Sequence, residues 1–145
     1  PASSHYEVIN AMVQAAEEQQ APYHVGVTLS VDSDFLGGGR PSVGGYMQPW
    51  NIEIAGIYNR AGILNGVRES SSIVTLSALF GRRGGSICSV ADNLCTGETF
   101  QACGGHNHAI DMALEGCAIL NNMDKQKKNF GKKYWYPSIS KRKEC

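Results

Sequence analysis

Two carboxylates stand where a short apolar run gives way to a polar turn. Asp92 closes "SICSVAD", and Glu69 opens "ESSSIVTLSALF" directly after Arg68. A carboxylate at the end of an apolar strand is partly desolvated. There it retains a proton more readily and can act as a general acid, or, with Asn93, it can cap a turn. Glu69 begins a helix, where the helix dipole favours a negative charge in any case. An ionised carboxylate can also accept two hydrogen bonds from a vicinal diol such as a ribose presents. The run "GGGR" at 37–40 offers successive backbone N–H groups to an anion. It lacks the Lys-Ser/Thr pair of a P-loop and leads into no convincing helix, so a lid is the alternative reading. Cys103, His106 and His108 form C-x2-H-x-H, a spacing that fits no common structural zinc site, and no metal is expected.

These groups need elements to hold them. "SSHYEVINAMVQAAEEQQ" carries Val8, Ile9, Met12, Val13 and Ala16 at helical spacing behind a Ser cap. "YHVGVTLSV" reads as a buried strand, and the glycines and Pro41 after it break regular structure. "WNIEIAGIYNRAG" predicts a short helix closed by Gly62, and "ILNGVR" a short strand. A helix follows over "ESSSIVTLSALF", with Ile73, Leu76, Leu79 and Phe80 on one face. "SICSVAD" predicts another buried strand. The last helix, "NHAIDMALEGCAILNNMDKQ", has Ile110, Ala113, Leu114, Cys117 and Leu120 facing inward. Alternating helices and strands give an α/β class with a partly parallel sheet. Ligands of such sheets sit beyond the carboxyl ends of the strands, which puts the glycine loop, Glu69 and Asp92 on one rim.

The bulk properties exclude several classes. A chain of 145 residues is one domain. Its 42% apolar and 18% charged residues are those of an ordinary soluble globule, and no apolar run approaches the roughly 18 residues of a membrane span. No secretory signal is visible, and Pro1 suggests an excerpt or a cleaved product. Five cysteines without a CxxC suggest free thiols and a cytoplasmic location. The zero net charge conceals a division: residues 1–124 hold five Lys/Arg against twelve Asp/Glu, and 125–145 hold eight against one. The segment 125–145 is therefore read as a basic tail of uncertain order, solvated rather than bound to nucleic acid.

The order of these motifs resembles the nucleoside phosphorylases, and most of all the C-terminal half of uridine phosphorylases. "YHVGVTLSVDSDF" is similar to the family's H-V-G-x-T strand and its D-x-F/Y segment. "DFLGGGR" resembles the base-binding loop D-F-Y-x-G-Q-x-R with one residue deleted, and "LNGVRESS" falls where the family has N-x-E-M-E-S. "ICSVADN" falls where purine-type members have C-T-V-S-D-H, and "NHAIDMALEGCAIL" resembles the final helix. The resemblance covers about residues 1–123, so 1–124 is read as the C-terminal portion of the domain. It implies a three-layer α/β/α fold with a mixed central sheet, here incomplete. It also implies a pentosyltransferase that releases a free base and ribose 1-phosphate in nucleoside salvage. The partners would be a nucleoside and inorganic phosphate as co-substrate, with no other cofactor, in a homo-oligomer.

Residue by residue, the resemblance implies that Glu69 binds the ribose hydroxyls, Phe35 packs on the nucleoside and Arg40 hydrogen-bonds a pyrimidine carbonyl. Asp92 matches the acid that protonates a departing purine. Departures accompany these matches. Gly38 replaces the Gln that reads uracil, Val67 replaces the first Glu of E-M-E, and Arg68 replaces its Met, beneath the sugar. Leu94 lies near the position of a pyrimidine-type Arg. The family's phosphate site belongs to the N-terminal half and has no counterpart in these residues. Two alternatives follow: a purine-preferring phosphorylase, and a catalytically degenerate binding or storage protein.

Overall fold

The computed structural model describes residues 2–99 and 105–141. Helix α1 spans Tyr6–Glu18 and begins at His5, whose ring Nδ1 accepts a hydrogen bond from the Glu7 N–H at 3.2 Å. The cap is thus the histidine rather than the preceding serines. Strand β1 is Val27–Ser30, helix α2 is Ile54–Arg60 and strand β2 is Ile63–Val67. Gly62 ends α2 at φ 73°, a left-handed turn that glycine adopts without strain. Helix α3 is Ser70–Leu79 and helix α4 is Gly105–Asn129.

β1 and β2 pair in parallel, in register from Thr28 opposite Asn65 to Ser30 opposite Val67. The Thr28 hydroxyl donates to Asn65 Oδ1 across the pair at 2.7 Å. A parallel pair needs a crossover, and α2 lies within it. The α/β class therefore holds, with a sheet of two strands among the described residues. The strand expected over "SICSVAD" is absent: residues 86–91 join no ladder, and only Asp92 makes an isolated antiparallel bridge, to Thr99. A strand exists only as part of a ladder, and β1 and β2 pair with each other alone. This segment instead runs between helices, with Ser86 Oγ accepting from Ser70 Oγ at 2.9 Å and the Gly84 carbonyl accepting from the His5 N–H at 2.8 Å.

The core sits where α4 crosses α1. Ala11 and Ala15 are fully buried against Ile119 and Met123, with Leu120 and Trp135 packed at the margin. Small side chains on α1 let the helix axes approach, and Gly116 deepens the contact, since a Cβ there would stand 2.7 Å from Met12 Sδ. This corrects the expected face of α4. The buried stripe is Met112, Gly116, Ile119 and Met123, whereas Ile110, Leu114 and Cys117 are exposed and Ala113 and Leu120 half-buried. The helix carries two apolar stripes, and the one with the glycine notch fits the alanine face. On α3 the expected inward residues Ile73, Leu76, Leu79 and Phe80 are likewise exposed, while Ser70 and Val74 are buried. Its first turn is tied down through Ser70.

The described part of the C-terminal segment packs on the rest of the chain. α4 continues through 124 without a break, and Ile139, in the short 3₁₀ helix Pro137–Lys141, is 0% exposed. Glu7, 1% exposed, is the anchor. Its carboxylate accepts from Lys127 Nζ at 2.7 and 2.9 Å, from Arg83 Nη1 at 2.7 Å and from the Trp135 N–H at 3.0 Å. Asp124 completes the network by pairing with both Arg83 and Lys127. Burial by itself pushes the Glu7 carboxyl up. The hydrogen bonds from Lys127, Trp135 and Arg83 outweigh it and hold the group at about 2. The lysines assigned by sequence to a solvated tail thus include one that neutralises a buried acid. No described helix is long and apolar enough to cross a membrane.

Candidate functional site

The site is built at the carboxyl ends of β1 and β2. The Val31 N–H donates to the Val67 carbonyl at 2.9 Å, so the two chains leave the sheet side by side. The second then turns into α3, whose first turn is capped by the first strand: Ser30 Oγ accepts from the Ser71 N–H at 2.9 Å. This hydroxyl fixes where Arg68 and Glu69 stand relative to β1.

Beyond β1 the chain forms a tight strap over 34–40. The Phe35 carbonyl accepts from the N–H groups of Gly38 and Arg40 at 3.1 and 2.7 Å. Asn51, fully buried, donates from Nδ2 to the Leu36 carbonyl at 2.7 Å and holds the strap from beneath. Gly39 is required here: its φ is 72°, and a Cβ would lie 2.8 Å from Ile54 Cγ2 and 2.9 Å from the Asn51 carbonyl oxygen. Gly38 is roomier, with Leu94 Cδ1 at 3.8 Å from where its Cβ would be. The Phe35 side chain is exposed rather than packed in the core.

Ion pairs tether both ends of the strap. At its start, Asp34 Oδ2 meets Arg68 Nη1 at 3.0 Å. Arg68 also approaches Glu69, Nε to Oε1, at 3.8 Å, and Glu69 Oε2 accepts from the Arg68 backbone N–H at 3.2 Å. At its end, Arg40 Nη2 donates to Asp92 Oδ2. The side chains of Arg40 and Asp92 are 48% and 37% exposed. Asp92 is therefore neither on a strand nor enclosed by apolar groups, as its position in the sequence suggested; it faces a guanidinium. Asn93 shapes the turn behind it, Oδ1 accepting from the N–H groups of Cys95 and Thr96 at 2.9 and 3.2 Å.

The residues singled out from sequence thus fall into two linked groups, Arg68 with Glu69 and Arg40 with Asp92, both joined to the strap that carries Phe35 and Gly38. Asp34 and Asn51 were missed. Asp34 stands in plain view in "DSDF", but only the β1–β2 register shows that it meets Arg68. A shallow, open depression of about 350 Å³ lies on α3 just beyond Glu69, lined by Ser71, Ser72, Thr75 and Leu76. His106 Nδ1 is hydrogen-bonded with Ser89 Oγ, and Cys103 lies outside the described residues. Among the described residues no group of three His, Cys, Asp or Glu side chains is placed to hold a metal ion.

The chain matches no protein-family model. It is 34% identical over 139 residues to a uridine phosphorylase of Thermococcus kodakarensis, an alignment covering 96% of this chain and 50% of that protein. This chain is a relative of the nucleoside phosphorylases. A DeoD-type purine nucleoside phosphorylase of Actinobacillus succinogenes is 28% identical over 120 residues, covering 81% of this chain and 45% of that protein. The chain spans about half the length of the curated relatives it matches. Among nucleoside phosphorylase relatives, then, it carries a rim of two arginines and three carboxylates on a two-stranded parallel sheet.

Proposed function

We propose that this chain forms the nucleoside-binding part of a phosphorylase site. In the reaction, a phosphate oxygen attacks C1′ of the nucleoside and the C1′–N bond breaks. The base leaves with the bonding electron pair and then acquires a proton, giving ribose 1-phosphate and free base. Glu69 accepts hydrogen bonds from the ribose hydroxyls, and Arg68 stands beside the sugar. Phe35 covers the base, Gly38 leaves room at its edge, and Arg40 donates to a base carbonyl. Asp92 completes the base end of the site. Stabilising the charge that develops on the leaving base is the main electrostatic task, and Arg40 is the cation nearest to it in this arrangement. The reading extends to a pyrimidine-preferring salvage enzyme of the cytoplasm that assembles with copies of itself. The observation that carries it is the ion-paired rim: Asp34–Arg68–Glu69 and Arg40–Asp92 set hydrogen-bonding groups at both ends of one strap, beyond the carboxyl ends of parallel strands.

One observation favours a second reading. Glu69 is already engaged by Arg68, through both its side chain and its backbone N–H. A chain in which that engagement persists binds a nucleoside without turning it over. The test is to incubate the protein with uridine, then inosine, with and without phosphate, and follow base release by absorbance alongside binding. Phosphate-dependent release that disappears in Glu69→Ala supports the enzyme. Binding without release supports the degenerate protein. Neither binding nor release contradicts both.

A further inference from the structure

Asp92 has two possible employments in a nucleoside site, and its geometry separates them. A general acid needs its carboxyl near the atom it protonates, with its proton retained by a desolvated setting. Here the carboxylate accepts from Arg40 Nη2, is partly open to solvent, and sits at the mouth of a hydrogen-bonded turn. That turn is tied by hydrogen bonds: the Asn93 N–H donates to the Glu98 carbonyl at 2.8 Å, the Gly97 N–H donates to the Asn93 carbonyl at 2.8 Å, and Asp92 bridges to Thr99. Arg40, by contrast, leaves a strap rich in glycine, with only its backbone N–H fixed, on the Phe35 carbonyl at 2.7 Å. A long arginine on such a strap has many rotamers, and one directed ion pair selects among them.

We infer that Asp92 is a positioning residue that aims the Arg40 guanidinium at the carbonyl edge of a pyrimidine base, and is not the proton donor. The inference rests on the nucleoside reading above. The remaining N–H groups of Arg40 are directed donors, matched to a base edge that presents carbonyl oxygens. Adenine, which carries an amino group and no carbonyl oxygen, draws less from this arrangement. Asp92 therefore contributes to selectivity through Arg40.

Two arms test this on the chain as it stands. In the first, without ligand, nitrogen-15 NMR follows the Arg40 Nη–H groups, the donors of the pair. The pair predicts several-fold faster hydrogen exchange in Asp92→Asn, with restoration in Asp92→Glu; an unchanged rate overturns it. In the second, uridine and adenosine are titrated into wild type, Asp92→Asn, Arg40→Ala and the double variant. Asp92→Asn should weaken uridine binding roughly five-fold, in line with one exposed ion pair, and adenosine binding by much less. The double variant should bind uridine no worse than Arg40→Ala, because Asp92 acts only through Arg40. Additive losses, or equal losses for both nucleosides, overturn the role. Where the protein turns over, the effect should lie in KM. A loss of 100-fold or more in kcat, together with a lost limb of the pH profile, marks a proton donor and overturns the inference. Wild type that binds neither nucleoside overturns the nucleoside reading and this role with it. Wild type that binds uridine beside an indifferent Asp92→Asn overturns the role alone.

Discussion

The molecule contains two ion-paired clusters of opposite character. Around Glu7, two cations and a backbone N–H converge on one buried carboxylate, with Asp124 as the second acid. Around the strap, Asp34, Arg68 and Glu69, and separately Arg40 and Asp92, pair in contact with water. The first joins α1, the chain before Ser86 and the C-terminal segment. The second leaves its groups open to solvent. Buried pairs are costly to break because a charge is left uncompensated, whereas exposed pairs contribute little to stability. The contrast separates charge that holds the fold from charge available to a ligand.

Substitutions at the two clusters sharpen that contrast. Glu7→Gln should produce the largest effect, on the order of 3 kcal/mol in urea unfolding, because Lys127 and Arg83 lose their buried acid. Acid should reproduce it without mutation. The folded Glu7 carboxyl lies at about 2 against an ordinary value of 4.5. Its stabilisation is thus fully present above pH 4.5 and lost as pH falls through 2, again on the order of 3 kcal/mol. A stability profile that is flat over that window breaks the comparison. Gly39→Ala comes next, at about 2 kcal/mol, from a left-handed φ and a Cβ pressed on the Asn51 carbonyl and Ile54. Its local opening, read by hydrogen exchange of the amides of 35–40, should rise while α1 and α4 stay protected. Arg68→Met should shift stability least, by under about 1 kcal/mol, and should reduce the salt sensitivity at the start of the strap, where Asp34 pairs with Arg68. A loss equal to that of Glu7→Gln would erase the distinction between the two clusters.

How far these features were legible in the sequence depends on what decides each. Apolar period and glycine stops placed α1, β1, α2, β2 and α3, because those signals are local, but β1 is half-exposed rather than buried. The face of α4 was not legible, since the helix bears two apolar stripes and only the match of Gly116 to Met12 and the alanines of α1 selects one. "SICSVAD" has the composition of a strand, but a ladder needs a neighbour and the described chain supplies none. The basic C-terminal run read as solvated because its charges are dense; nothing in its own residues announces the buried Glu7 that takes up Lys127. At the candidate site, Glu69, Arg68, Arg40 and Asp92 stood out by type and position. Their pairing, and the part of Asp34, follow from strand register and strap geometry.

The central claim is that the strap, the start of α3 and Asp92 form a nucleoside site. Titration of the nitrogen-15-labelled chain with uridine, followed by amide NMR, tests it most directly. The account predicts saturable shifts in the amides of 34–40, 68–72 and 92–94, with those of 7–16 and 116–135 unmoved. No saturable shift, or shifts centred on α4 and the C-terminal segment, would contradict it.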